Sequence, residues 1–253
     1  MLRGKNILVA GAGGLLGAST VVEIIKNGGS VVAADINKES VEVKLSSMGV
    51  ALSSEQVTTC SLDVTCEESV ISFFDQAESL AGAVNCTYPR NDSYGAHFFD
   101  VTLSGFNENL TLHLGSSFLF CQQCARFFQK NEERFSLVNL ASIYGVVAPK
   151  FDIYDGTSMT TPVEYAAIKS AIIHLTRYLS AYINDSRFRV NSISPGGILD
   201  GQPETFLNKY REQTNGKGML DVEDIINPII FLLSDKSEYI AGQNIVIDDG
   251  FTL

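Results

Sequence analysis

The sequence contains no stretch of about 18 uncharged apolar residues, so a membrane-spanning helix is not expected. Basic residues are scarce: 18 Lys and Arg stand against 29 Asp and Glu, a formal charge of -11. No Lys/Arg cluster could follow a phosphate backbone, which argues against nucleic acid as the main partner. Cysteines number five, Cys60, Cys66, Cys86, Cys121 and Cys124. Cys121 and Cys124 form a C-x-x-C, but inside a helical pattern, with neither a second pair nor nearby histidines. No metal site is therefore expected, and free thiols in a reducing compartment are the better reading. The N-terminal MLRGKNILVAGAGG has an early positive charge and a short apolar run, yet meets glycines within a few residues. It reads as a first strand rather than a secretory leader, and a cytoplasmic protein is expected.

What is present is a chain of 253 residues, 45% of them hydrophobic, enough for a substantial core. Compact apolar runs at 6–10, 30–35, 57–61, 81–86, 135–141, 187–194 and 243–248 read as strands. Helical patterns at 14–27, 38–47, 67–80, 103–129, 162–183, 203–214 and 222–233 lie between them. This alternation implies crossover units. We expect an α/β fold, a Rossmann-like doubly wound parallel sheet of about seven strands flanked by helices, as one domain over 1–253. Ligand contacts should come from loops at the strand C-terminal ends.

The first strand runs into AGAGGLLG, where Gly11, Gly14 and Gly17 are spaced three apart. Glycines there permit a tight turn and let a pyrophosphate approach the backbone at the start of a helix. Asp35 ends the second strand and suits the hydroxyls of an adenosine ribose. Its charge would repel a 2′-phosphate and no arginine follows it, so NAD is favoured over NADP. Asp63, at the end of the third strand, faces the adenine or caps the next helix.

Oxidation of an alcohol needs a base for the hydroxyl proton. A phenol with pKa about 10 serves only if its anion is favoured. In VEYAAIKSAIIHL, Lys169 lies one helical turn from Tyr165, and its ammonium together with a positive nicotinamide would favour the phenolate. Ser142, just beyond the fifth strand, offers a hydroxyl to hold the substrate oxygen. A Y-x-x-x-K alone is common by chance; its combination with Ser142 and the glycine turn points to catalysis.

These pieces, AGAGGLLG, Asp35, LDV, NLAS, YAAIK, NSISPGG and the closing DVEDIINPIIFLLSDKSEYIAGQNIVIDDG, together resemble the short-chain dehydrogenase/reductase family over nearly the whole chain. The resemblance implies that Tyr165 is the general acid/base, that Lys169 also binds the nicotinamide ribose, and that Ser142 orients the reacting oxygen. It implies cofactor contacts at Gly11, Gly14, Leu15, Leu16, Gly17, Asp35, Asp63, Val64, Asn85, Tyr165, Lys169, Pro195, Gly196 and Ile198. It also implies a homodimer or homotetramer built on the two long helices.

There are departures. The usual middle glycine of the cofactor turn is Leu15, and the G-x-x-G-x-x-G spacing is that of the family's sugar-modifying branch. The usual N-N-A-G is Asn85-Cys86-Thr87-Tyr88. The family's helical asparagine falls on His113, which either joins the catalytic set or is a satisfied helix histidine. Ser142 and Tyr165 stand 23 residues apart, where about 13 is usual in the family, and the extra APKFDIYDGTSMTTP is polar and irregular. Asp152, Tyr154 and Ser158 in it, with Tyr88 and Arg90 from the loop after the fourth strand, are the expected substrate contacts. Arg90 would hold a phosphate or carboxylate, or else is a solvated loop cation.

These two loops also resemble a subgroup associated with bacterial flagellin modification and surface-polysaccharide synthesis. That implies a sugar or sugar phosphate as substrate. The leading expectation is an NAD-dependent oxidoreductase acting on a polar, sugar-like alcohol or carbonyl. An epimerase or dehydratase that retains its NAD, and a non-catalytic nucleotide-binding protein, are the alternatives.

Overall fold

The computed structural model describes residues 1–253. Seven strands, β1 (Asn6–Ala10), β2 (Ser30–Asp35), β3 (Val57–Ser61), β4 (Gly82–Asn85), β5 (Phe135–Leu140), β6 (Phe188–Pro195) and β7 (Asn244–Ile247), form one sheet in the order β3-β2-β1-β4-β5-β6-β7. Every pairing is parallel. The central strands β4, β5 and β6 are buried at every position, because helices cover both faces.

On one face α1 (Leu15–Lys26) and α8 (Val222–Leu233) close over Val9, Val31, Val84 and Val138 through Val21, Ile24, Ile225 and Ile229. On the other, α3 (Glu67–Gln76) and the long helices after β4 and β5 bring Val70, Phe74, Phe120, Phe127, Phe128 and Leu179 onto Leu8, Ala83, Leu137 and Val190. The remaining helices are α2 (Lys38–Ser47) at the edge and α7 (Glu204–Arg211) near the strand C-terminal ends. No helix is long and apolar enough to cross a membrane.

Three expected helices differ from the observed ones, of which that over 203–214 ends at Arg211. The helix expected over 67–80 ends at Gln76, because Ala77 is extended with φ -68° and ψ 124°. The single helix expected over 103–129 is divided into α4 (Leu103–Asn109), a π-helical turn (Leu110–Gly115) and α5 (Ser116–Asn131). The wider turn lies beside the cleft, a common setting for such a turn. There the His113 carbonyl accepts the hydroxyls of Ser117 at 2.7 Å and Ser116 at 3.1 Å.

After β5 the chain makes two short 3₁₀ turns, Ile143–Gly145 and Phe151–Tyr154, before α6 (Val163–Ile183). Pro162 stands just outside α6 as its N-cap, and Asn184 ends it in the left-handed region at φ 48°. The strand order reverses between β1 and β4, and the cleft opens above that switch point.

Candidate active site

The cleft has a volume of about 740 Å³. One end is the glycine turn, where Gly14, Leu15, Leu16 and Gly17 line it. A Cβ on Gly17 would lie 2.0 Å from the Gly11 carbonyl oxygen, and one on Gly11 would lie 2.8 Å from the Cys86 backbone. Only glycine lets the turn fold this tightly between β1 and β4. Gly14, the N-cap of α1, contributes no side-chain cap. The first-turn N–H groups of α1 therefore remain available to an anion at the positive end of the helix.

Asp35 is held toward this turn. Its Oδ2 accepts the Gly13 N–H at 3.0 Å and its Oδ1 accepts the Asn37 N–H at 3.4 Å. A carboxylate has about four lone-pair sites, so it can accept ribose hydroxyls besides. Asp63 caps its own turn: Oδ1 accepts both the N–H and the hydroxyl of Thr65, at 2.9 and 2.7 Å. Val64 is buried, and Asn85 Oδ1 accepts the Thr87 hydroxyl at 2.6 Å. Pro195, Gly196 and Ile198 line the cleft where β6 ends. Glycine turn, open helix end and acidic strand end fit an adenosine diphosphate moiety.

Ser142, Tyr165 and Lys169 meet on the cleft wall at the end of β5. Gly145 makes this possible: a Cβ there would lie 2.6 Å from the Lys169 carbonyl carbon, so the turn after Ser142 packs directly on the α6 backbone. Ser170 Oγ donates to the Gly145 carbonyl at 3.1 Å and ties the two together. Lys169 is 4% exposed; its Nζ donates to the Leu140 carbonyl at 2.8 Å and lies 3.5 Å from His113 Nε2.

Burial sets the electrostatics. It raises the Tyr165 phenol above its ordinary range, while a hydrogen bond with Ser142 acts in the opposite direction. Lys169 is not among the groups that shift Tyr165 in the protein alone; burial sets the direction. The same burial pushes Lys169 down to about 7 from 10.5. His113, 1% exposed, is driven to about 2, first by burial and then by the Lys169 and Arg90 charges, so its imidazole is neutral. Its Nε2 faces Lys169, and its Nδ1 is buried without a protein partner.

The Lys169 shift has a consequence for stability. Below about 7 folded and unfolded lysines are both charged; between about 7 and 10.5 only the unfolded one binds the proton. Stability therefore rises with pH across that window. Denaturant midpoints of cofactor-free protein should climb more steeply there for the wild type than for Lys169→Met. Equal slopes would show that the ammonium is not disfavoured by folding.

Of the expected substrate residues, Tyr88 and Arg90 line the cleft and the other three do not. The Tyr154 hydroxyl is shared with Tyr144 at 3.0 Å and Thr161 at 2.6 Å. Asp152 and Ser158 are exposed, and Lys209 Nζ pins the segment by donating to the carbonyls of Asp152 at 3.2 Å and Asp155 at 2.9 Å. Lys150 Nζ donates to the Phe251 carbonyl at 2.9 Å. The inserted segment is thus anchored to α7 and the C-terminal turn, and offers the cleft Thr160, Thr161 and Pro162. Asp200, Gln202 and Tyr210 also line it, and no motif marked them. Tyr88 packs edge-on against Tyr165, His113 and Tyr94, with ring centroids at 5.7, 5.0 and 5.6 Å.

A nucleotide cradle and a Ser–Tyr–Lys cluster on one cleft define a dinucleotide-dependent oxidoreductase. Comparison with known proteins agrees. A family model described as enoyl-(acyl carrier protein) reductase matches residues 11–252. The chain is 38% identical to post-translational flagellin modification protein A of Campylobacter coli, with all of both chains covered. It is 30% identical to a 7alpha-hydroxysteroid dehydrogenase of Bacteroides fragilis, over 98% of this chain and 95% of that one. A short-chain dehydrogenase of Leptospira borgpetersenii, solved with bound NAD+, superposes with a TM-score of 0.87 at 30% identity, covering 100% of this chain and 94% of that one. The chain belongs to the short-chain dehydrogenase/reductase family and is an NAD(P)-dependent oxidoreductase.

Proposed function

We propose that the chain oxidises or reduces a carbinol or carbonyl carbon of a small, polar, sugar-like substrate, with NAD as the cofactor. The observation that carries this reading is the meeting of Ser142, Tyr165 and Lys169 on one wall of a cleft that begins at the glycine turn. NAD supplies the hydride acceptor, and its reduced form the donor. Gly11, Gly14, Gly17 and the α1 N–H groups hold the pyrophosphate, and Asp35 accepts from the adenosine ribose. Tyr165 exchanges a proton with the substrate oxygen, Ser142 donates to that oxygen, and Lys169 reaches the second ribose. Neutral His113 backs Lys169 through Nε2 where the family's asparagine would stand.

The polar wall of Thr87, Thr161, Asp200 and Gln202 supports a hydroxylated substrate over an acyl chain. The likeness to the Campylobacter flagellin modification protein supports a place in flagellin or surface-glycan synthesis. The single continuous sheet supports one domain over 1–253. Tyr178 and Tyr182, stacked at 5.9 Å on the outer face of α6 and 60% and 71% exposed, support a dimer or tetramer built there.

Fluorescence titration should show NADH binding at least about tenfold more tightly than NADPH, because Asp35 faces the 2′-position. Asp35→Ser should narrow that ratio. Equal or tighter NADPH binding by the wild type would remove Asp35 as the discriminator.

A further inference from the structure

The loop after β4 carries a cation with no protein partner. Arg90 is exposed on the cleft rim, takes no part in any of the seven ion pairs, and donates no side-chain hydrogen bond. Its guanidinium carbon lies 4.9 Å from the centroid of the Tyr88 ring. That ring in turn packs on Tyr165 at 5.7 Å. Arg90 thus stands one aromatic ring away from the phenol that meets the substrate oxygen. The cation lies over the ring face, and its N–H groups have no protein acceptor.

The charge around it is unusual for this chain. The net charge is -11, yet the cleft is lined by two cations, Arg90 and Lys169, and one carboxylate, Asp200. Lys169 sits on the Leu140 carbonyl and His113 and is assigned to the cofactor ribose, so Arg90 is the cation left for the substrate.

The loop is also built to hold this cation. Pro89 precedes it with a fixed φ. Asn91 follows it and is clamped to the helix before the π-turn. The Asn91 N–H donates to Asn109 Oδ1 at 3.0 Å, and Asn109 Nδ2 donates back to Asn91 Oδ1 at 3.0 Å. Asn91 Nδ2 donates to Glu108 at 2.7 Å. Asn109 and Glu164 are each 1% exposed, and Asn109 Nδ2 reaches Glu164 Oε1 at 3.4 Å. Glu164 adjoins Tyr165, and its other oxygen has no protein partner. A carboxylate buried with so few hydrogen bonds is costly. Its consequence here is that the Arg90 loop, the π-turn helix and the catalytic helix are joined through one buried amide.

The geometry points to an anion subsite: Arg90 binds a phosphate or carboxylate group of the substrate, held in place by the Asn91–Asn109–Glu164 network. This rests on the oxidoreductase reading of the cleft and specifies its substrate as anionic. A planar guanidinium takes either group through two parallel N–H bonds. A substrate that reaches from Tyr165 to Arg90 carries its anionic group away from the carbon that reacts.

The test is calorimetric titration of the NADH-loaded full chain with glucose 6-phosphate, glucuronate and glucose. Wild type should bind at least one of the anionic sugars about tenfold or more tighter than glucose. The phosphate and carboxylate arms show which group is preferred. Arg90→Ala should abolish the gap, and Arg90→Lys should keep only part of it, since charge remains but the fork does not. Asn109→Ala should weaken the anionic sugars more than glucose and so narrow the gap. Absence of a gap in the wild type, no binding of either anionic sugar, or a gap that survives Arg90→Ala would each overturn the proposal. Tyr165→Phe should keep the gap, which separates the two readings. An Arg90-dependent gap without any Tyr165-dependent turnover would leave the subsite standing and remove the proposed reaction at a sugar-like carbon.

Discussion

Tyr165→Phe is expected to lower kcat by about 10² to 10⁴-fold while leaving NADH affinity close to that of the wild type. The phenol stands on the cleft wall with Ser142, whose hydroxyl opposes the upward effect of burial. Phenylalanine fills the same volume and retains the edge-on packing with Tyr88, so the cleft keeps its shape. Only the exchangeable proton is lost. Because that proton is needed as the reaction proceeds, and not for binding, the loss should fall on kcat rather than on KM. Single-turnover measurement of NADH absorbance with a competent substrate reads this directly. A variant within tenfold of the wild type would mean that another group moves the proton.

Gly145→Ala should produce the second largest effect, and through geometry alone. An added Cβ would lie 2.6 Å from the Lys169 carbonyl carbon and 2.8 Å from its oxygen. Both are backbone atoms of a long helix and cannot swing away. The turn carrying Ser142 must therefore lift from α6, parting the serine from Tyr165 and Lys169. A misplacement of about 1 Å costs on the order of 10²-fold in rate, and overpacking of this kind costs about 1–3 kcal/mol of stability. The glycine turn lies elsewhere, so NADH should still bind. Comparing kcat, NADH affinity and the denaturation midpoint separates the local effect from global unfolding. Unchanged kcat would show that the serine does not depend on this contact.

Much of the fold was legible because two signals agree along the chain. Strands β1, β2 and β3 and helices α2 and α8 fall within the expected limits, since apolar runs and helical periodicity both mark them. The divided helix was not legible: nothing in LTLHLG distinguishes a π-turn from an α-turn, and the outcome depends on where the His113 carbonyl finds donors. Within the cleft, Ser142, Tyr165, Lys169 and the glycine turn were legible as a combination of residue types in order. Tyr154 has the chemistry of a substrate contact, yet its hydroxyl is spent on Tyr144 and Thr161. Asp152 and Ser158 share that chemistry and lie outside the cleft wall.

The sequence by itself determined the alternating α/β order, the glycine turn, the acidic end of the second strand and the spacing of Tyr165 and Lys169. These are local patterns, fixed by steric freedom and side-chain periodicity. Tertiary structure alone decided that burial raises Tyr165 and lowers Lys169, that Gly145 seats Ser142 on α6, and that Asn109 and Glu164 brace the Arg90 loop. Each of these depends on groups far apart in the chain. Their burial and mutual approach exist only once the two faces of the sheet have closed.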